Sequence, residues 1–221
     1  RFECPGIPAF VEMGEDPEHG PFMVVERLEG TPMKEMAVPV DPKRAIELIS
    51  QIGRIVQHLH AQGVVHRELT PANILVDRMG SVGFPHFAMA KPVEGEPLTM
   101  AAPKLGDPGF MAPEQVRGEK ADSFTDTYQI GALFYFLLTG RPPFGPGKPL
   151  EVADAVIGRP PQPLSGVSKD LEAICFKALM KERETRYPKP VDFVADLRNF
   201  LEGKPLSIKP KAGFFGRLFG K

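Results

Sequence analysis

The apolar run IGALFYFLL, residues 130–138, constrains the fold more than any other stretch of the sequence. It has nine residues, whereas a helix needs about 20 to cross a lipid bilayer. A helix that is apolar on every side has to be enclosed by other parts of its own protein. The run therefore predicts a domain built around one buried helix, and no apolar run in the sequence reaches the length of a membrane span.

Helical and strand patterns surround this run. A long amphipathic helix is predicted from about Asp41 to Ala61, with Asp41 as N-cap and Pro42 in its first turn. Shorter helices are predicted at PMKEMA and over about 125–139, 149–157, 168–181 and 189–202. Strands are predicted at IPAFVEMG, PFMVVERL, NILVD and SVGFP, and residues 88–110 are expected to form a long loop. This order predicts an α+β domain dominated by helices.

Charge and cysteine content narrow the function classes. The formal net charge of the 221 residues is −1, which gives no argument for a nucleic-acid partner. Cys4 and Cys175 are too few for a disulfide framework or a zinc site. We therefore expect a cytoplasmic location, close to a membrane if the chain continues beyond Lys221.

The last segment, residues 204–221, differs from the rest because basic residues and phenylalanines alternate in it without an acid. Such a segment would make weak contact with an anionic membrane surface. We favour a different interpretation, in which the segment is a frayed basic terminus or the stub of a longer chain, because three glycines in nine residues disfavour a helix.

Six segments carry short motifs in a fixed order. They are CPGIPAFVEMGEDPEHGPFMVVERLEG, HLHAQGVVHRELTPANILVD, VGFPHFAMAK, GDPGFMAPEQ, SFTDTYQIGALFYFLLTGRPPF and RYP. They resemble the last small-lobe strands and hinge, the catalytic loop, the Asp-Phe-Gly turn, the end of the activation segment, the buried helix and the late arginine of bacterial-type serine/threonine protein kinases.

The resemblance implies a protein-kinase-like fold, mostly the helical large lobe. Residues 1–30 would be the remnant of the small lobe with two strands and the hinge, residues 31–203 the large lobe, and residues 204–221 a tail. The glycine-rich phosphate loop, the strand lysine and the helix glutamate of the family have no counterpart in these residues. The alternative is that this chain is a fragment of a protein that has them.

The resemblance also shows where catalytic residues differ. Glu68 takes the place of the catalytic Asp, and its extra methylene shifts the carboxylate by about 1 Å, which costs on the order of 10²-fold in rate. Thr70 replaces the catalytic-loop Lys, so a cation is lost, while Asn73 keeps one metal ligand. Asp107 occupies the place of a threonine in the peptide-binding loop. We expect Thr70 to donate a hydrogen bond to Asp107.

His86 takes the place of the magnesium-binding Asp of the Asp-Phe-Gly turn, followed by Phe87. Magnesium prefers oxygen ligands, so an imidazole is a poor substitute. A protonated His86 would instead contact a nucleotide phosphate directly. The favoured interpretation is a hydrogen-bonded structural histidine.

Other family residues are retained and imply structural roles. Glu114 and Arg186 would form a buried ion pair, and Asp126 would accept hydrogen bonds from the backbone of the catalytic loop. His66 would stack with Phe87 in the core. Arg67 would either hold a phosphate on Thr99, the candidate phosphosite of the activation segment, or form a structural salt bridge, which is favoured.

For adenine, the hinge would offer backbone groups near Glu26 and Leu28, with Val25 as gatekeeper and Leu75 as the floor of the cleft. These apolar residues are equally explained as parts of a core.

Three functions remain open. In the first, the chain is a pseudokinase that needs no cofactor and binds a protein, such as an active kinase or a signalling protein. In the second, it is a residual ATP- and Mg²⁺-dependent kinase, with Glu68 as the base and a small lobe completed by upstream sequence. In the third, it is a decayed fragment without a selected role.

Overall fold

The computed structural model describes residues 4–87, 90–92 and 107–208. Its helices are α1 (Pro42–Ala61), α2 (Pro113–Val116), α3 (Ser123–Thr139), α4 (Pro149–Gly158), α5 (Lys169–Ala178) and α6 (Pro190–Leu201). Its strands are β1 (Phe10–Asp16), β2 (Gly20–Val25), β3 (Thr31–Pro32), β4 (Val64–Val65), β5 (Leu75–Val76), β6 (Val82–Gly83) and β7 (Lys91–Pro92). Single 3₁₀ turns lie at Met33–Glu35, Pro108–Phe110 and Arg183–Thr185. The α+β class expected from the sequence is confirmed.

Helix α3 is the enclosed helix that the apolar run predicts. Every residue from Thr125 to Leu138 is buried, and the helix packs against α1, α5 and α6. It begins at the N-cap Asp122 and ends at Gly140, whose φ of 75° lies in the left-handed region that glycine adopts without strain. In the described part of the chain, no helix is long and apolar enough to cross a membrane.

Helix α1 forms as its sequence indicates. The carboxylate of Asp41 accepts hydrogen bonds from the amides of Lys43 and Arg44, and Pro42 occupies the first turn. The apolar face of α1 packs on α3 and α6. At Gly53, helices α1 and α6 come so close that an added Cβ would lie 2.6 Å from Cγ2 of Val194 in α6.

The strands form three small antiparallel sheets: β1–β2, β3–β5–β6 and β4–β7. The β1–β2 hairpin leaves large apolar side chains in solvent, at Phe10, Val11, Met13, Phe22, Met23 and Val24. Monomeric soluble proteins seldom expose so many neighbouring apolar side chains without a partner surface. The exposed apolar side chains of the hairpin therefore indicate a surface that a binding partner would bury.

Some element predictions are wrong. The expected loop 88–110 contains strand β7, which pairs with β4, and a 3₁₀ turn at its end. The helix expected over 168–181 already ends at Ala178, and PMKEMA forms only one 3₁₀ turn. Two- and three-residue elements are too short to show a measurable period in the sequence.

Candidate functional site

The loop after β4 is held by one buried carboxylate. Asp126, in the first turn of α3, is fully buried. It accepts hydrogen bonds from the backbone amides of His66 at 2.9 Å and Arg67 at 2.7 Å. Its Oδ2 also lies 2.7 Å from Nε2 of His60. The loop that the resemblance makes catalytic is thus anchored on the central helix.

Arg67 adopts a φ of 71°, a left-handed conformation that costs energy for a residue with a side chain. Two glutamine amides hold it there: Nε2 of Gln115 and Nε2 of Gln129 donate to the Arg67 carbonyl at 2.7 and 3.0 Å. Oε1 of Gln129 accepts from the amide of Leu69 at 3.1 Å. Sequence reasoning missed both glutamines, since no short motif marks an amide that bridges two distant loops.

The salt bridge favoured for the Arg67 side chain is not present among the described residues. No carboxylate there lies within ion-pair distance of its guanidinium, and its buried Nε has no hydrogen-bond partner. The left-handed conformation of Arg67 directs its carbonyl to the two glutamine amides. Its guanidinium forms no ion pair with an acid of the described chain.

The residues expected to carry chemistry are only loosely tied together. The amide nitrogen of Asn73 donates to the Glu68 carbonyl at 3.2 Å, which leaves the amide oxygen of Asn73 available. The backbone amide of Asn73 donates to the Thr70 carbonyl at 3.0 Å. The half-buried Glu68 carboxylate has no hydrogen bond with a described residue, so it is open to a ligand.

The expected hydrogen bond from Thr70 to Asp107 is absent, which corrects that prediction. Asp107 instead uses its carboxylate locally, accepting from the amide of Gly109 at 3.0 Å to cap the 3₁₀ turn that follows. A cap of this kind satisfies a turn amide that has no other partner. Pro108 favours the turn by fixing its own φ, so the carboxylate is committed to its own segment.

His86 differs from the structural histidine that we favoured. Its side chain is exposed and has no hydrogen bond with the described residues. Its neighbour Phe87 instead turns toward the core, where the centroid of its ring lies 5.4 Å from that of His66. The His66 ring also packs edge-on against Phe84, with 5.2 Å between the centroids. The apolar packing of Phe87 fixes this turn, so His86 is left pointing to solvent.

Burial lowers the pKa of His66, although the negative charge of Asp126 and hydrogen bonds to the backbone of residues 66 and 86 oppose the shift. Its Nδ1 accepts a hydrogen bond from the amide of Glu68 at 3.3 Å. Both observations fit a neutral imidazole packed between aromatic rings. His66 therefore acts as an apolar and hydrogen-bonding spacer in the loop.

Glu114 and Arg186 form a bidentate ion pair, with both N–O distances at 2.8 Å and both side chains buried. Glu114 also accepts from the hydroxyl of Thr125 at 2.8 Å. The pair joins α2 to the segment before α6. Charge-assisted bidentate pairs of this kind are the strongest hydrogen-bonded ion pairs in proteins.

The residues proposed to contact adenine lie at the end of β2, in the segment after it and in β5. Leu75 is the strand partner of Gly83, and a Cβ on Gly83 would lie 2.9 Å from Cδ1 of Leu28. Val25 ends β2, and the amide of Glu26 donates to the Ala9 carbonyl at 2.8 Å. Leu28 and Leu75 are thus both neighbours of Gly83 and remain only half-buried.

The residues at the implied magnesium site do not fit that ion. The described donors are the free amide oxygen of Asn73 and the imidazole of His86. Mg²⁺ requires near-octahedral oxygen ligands and usually at least one carboxylate. These two side chains therefore provide no suitable clamp for Mg²⁺. The candidate phosphosite Thr99 and most of the tail, residues 209–221, lie outside the described residues.

Comparison with known proteins adds a family and several relatives. The family described as protein kinase domain matches residues 1–190. The serine/threonine-protein kinase PknB of Mycobacterium tuberculosis is 33% identical over 213 residues, which cover 91% of this chain and 34% of the relative. The Mycobacterium leprae PknB is 32% identical over 212 residues, with 91% and 34% covered.

A probable serine/threonine-protein kinase of Streptomyces coelicolor, SCO3848, is 31% identical over 221 residues, covering 95% of this chain and 33% of the relative. The chain spans about a third of the length of these curated relatives.

Proposed function

The chain belongs to the protein kinase family as a serine/threonine-kinase-like domain, and from that premise we propose that its catalytic site is impaired and that it acts by binding or regulating another protein. One observation carries the proposal: an exposed histidine without described partners, His86, stands where the resemblance requires the metal-binding carboxylate. An imidazole is a poor replacement for a hard oxygen ligand between phosphates.

Charge at the cleft supports the same proposal. Thr70 supplies no cation, and Asp107 adds a carboxylate whose hydrogen bond goes to its own turn. Phosphoryl transfer depends almost entirely on positioning and on neutralising phosphate charge. A cleft with two acids, Glu68 and Asp107, and no replacement cation is poorly matched to a nucleoside triphosphate.

A protein partner is proposed on the basis of the β1–β2 hairpin. Its exposed apolar side chains, among them Met13 and Met23, would be covered by a protein surface that pairs with them. We also propose a cytoplasmic location, which the two free thiols, Cys4 and Cys175, support.

The proposal is tested by measuring the thermal stability of the unaltered chain and of His86→Asp with ATP, each with and without Mg²⁺. A ligand at a hundred times its Kd stabilises a protein by about 2.7 kcal/mol, which is easily measured as a shift in Tm. We expect no magnesium-dependent shift in the unaltered chain; a gain of one in His86→Asp would assign the loss to this position, whereas its absence would add Thr70 and Asp107 to the cause.

Phosphate transfer from ATP to a protein acceptor by the unaltered chain would contradict the proposal. So would a magnesium-dependent shift that is the same with His86 as with Asp at this position. Either result would favour a residual kinase with Glu68 as its base.

A further inference from the structure

A cavity of about 280 Å³ lies between the end of α2, the end of α4 and the segment after α5. It shares no residue with the candidate catalytic site. Arg117, Arg159 and Lys181 bring three basic side chains to its wall, and Glu182 brings one carboxylate. We name it the basic pocket and define it by those three basic residues.

Lys181 is the central group of the basic pocket. Its ammonium donates to the carbonyl of Val156 in the last turn of α4 and lies 3.8 Å from the centre of the Phe144 ring. The carbonyl contact is a structural role, since helix ends leave carbonyls without intrahelical partners. However, Val156 is the one hydrogen-bond acceptor that the described residues offer to its three ammonium protons.

The two arginines also keep hydrogen-bonding capacity. Arg159 is exposed and makes no ion pair with a described residue. Among the described residues, Arg117 forms an ion pair only with Glu119, at 4.0 Å, and both of these side chains are more than a third exposed. A surface pair at that distance contributes little. Both guanidinium groups therefore have donors left for a ligand.

The acids beside this cluster are Glu182 in the wall and Glu119, 4.0 Å from Arg117, and no ion pair among the described residues joins either of them to Lys181 or Arg159. The charges that act on Lys181 come from Arg186 and Arg117, and both are positive; Arg186 is itself paired with Glu114. Burial, reinforced by these two arginines, lowers the pKa of Lys181 to about 7. A largely buried amine without an ion-pair partner, placed among like charges, is stabilised when an anion enters.

We propose that the basic pocket binds a small tetrahedral dianion, a phosphoryl group, carried either on a serine or threonine of a protein segment or free in solution. Guanidinium groups match such an anion because they donate in pairs to two of its oxygens. The ammonium of Lys181 supplies a point charge at the buried end. The inference does not depend on the impaired catalytic site.

Calorimetric titration of the chain tests the proposal with three probes: sulfate, a phosphothreonine peptide and the same peptide with threonine, all at constant ionic strength. The phosphopeptide and sulfate should bind, and the threonine peptide should not. Tighter binding of the phosphopeptide than of sulfate, by about tenfold or more, would assign the anion to a protein segment. Equal affinities would assign it to a free dianion.

Two variants with the same charge change separate the pocket from general charge. Arg159→Glu should weaken binding by about tenfold or more, because a charge-assisted hydrogen bond is lost and a carboxylate added. Arg78→Glu changes an exposed arginine in the turn between β5 and β6 and should have no effect. Absence of sulfate and phosphopeptide binding, or equal weakening in both variants, would overturn the proposal.

A pH series with sulfate gives a further readout that needs no variant, since sulfate stays a dianion throughout. Binding of an anion favours the charged form of Lys181, so affinity should fall as pH rises through about 7. An affinity that is constant from about pH 6 to 8.5 would overturn the role given to Lys181.

Discussion

Replacing Arg186 with methionine removes the cation that neutralises Glu114 in the protein interior. Both side chains are almost fully buried, at 0% and 1% exposure. Apart from the ion pair, the guanidinium donates to the carbonyls of Met180, Phe124 and Lys181 at 2.7 to 3.0 Å. Breaking a buried pair in this way costs about 3–5 kcal/mol of unfolding free energy, because an uncompensated charge remains.

The pH dependence gives a second, sharper test of the same change. Burial alone would raise the pKa of Glu114, but the hydrogen bonds and charge of Arg186 outweigh it, so the pKa is lowered. A lowered pKa contributes stability above the ordinary Glu pKa of about 4.3, and this is lost as pH falls through the folded-state value. Without Arg186, burial dominates and the folded-state pKa rises.

The variant should therefore lose stability as pH rises through this raised pKa, and the gap to the unaltered chain should narrow on acidification from pH 7 to about 5. Urea unfolding at several pH values, followed by circular dichroism, measures both effects. Arg183→Met is the control, because Arg183 pairs with Glu119 and Asp122 near the surface and its loss should cost only about 1 kcal/mol or less. Equal costs for the two variants, or a gap that widens in acid, would refute the reasoning.

Further predictions concern the loop and the helix packing. Gln129→Ala removes the acceptor of the Leu69 amide, so we expect a loss of about 1–3 kcal/mol and faster hydrogen exchange in residues 66–73. Asp126→Asn keeps the shape but removes the charge that the loop amides contact; chemical denaturation should show a loss of about 1.5–3 kcal/mol. Gly53→Ala should lower Tm through a clash worth about 1–3 kcal/mol, whereas Gly158→Ala, with open space around it, should leave Tm unchanged or raise it.

The long elements of the fold could be predicted from the sequence because each has a local physical signal. Helix α1 has an amphipathic period and the Asp41 cap, and α3 has an apolar run that must be enclosed. Of the short elements, β5 and β6 lie inside the predicted strands NILVD and SVGFP, whereas β4 and β7 could not be predicted, since they exist only through pairing with each other. A two-residue strand gains its stability from its partner and leaves no pattern of its own.

The same division holds for the candidate site. The ion pair of Glu114 and Arg186 could be expected because resemblance supplies both partners. The amide bridge through Gln129 and the exposure of His86 could not, because they depend on how loops from different parts of the chain meet. The Thr70–Asp107 bond failed for a local reason: an Asp followed by Pro and Gly has a turn amide of its own to cap.

Structural charge and catalytic charge are distributed differently in this chain. Asp126, Glu114 and Arg186 are buried and hydrogen-bonded, so a change at any of them costs the fold several times RT. Glu68 and His86 are partly or fully exposed and have no described side-chain partner, so their identity contributes little to folding. The buried charged side chains and the partly or fully exposed side chains of the candidate site share no hydrogen bonds. Substitutions at the candidate site can therefore abolish activity while the fold remains stable. Membership in the kinase family therefore establishes the fold of this chain, while its activity has to be judged from the site residues alone.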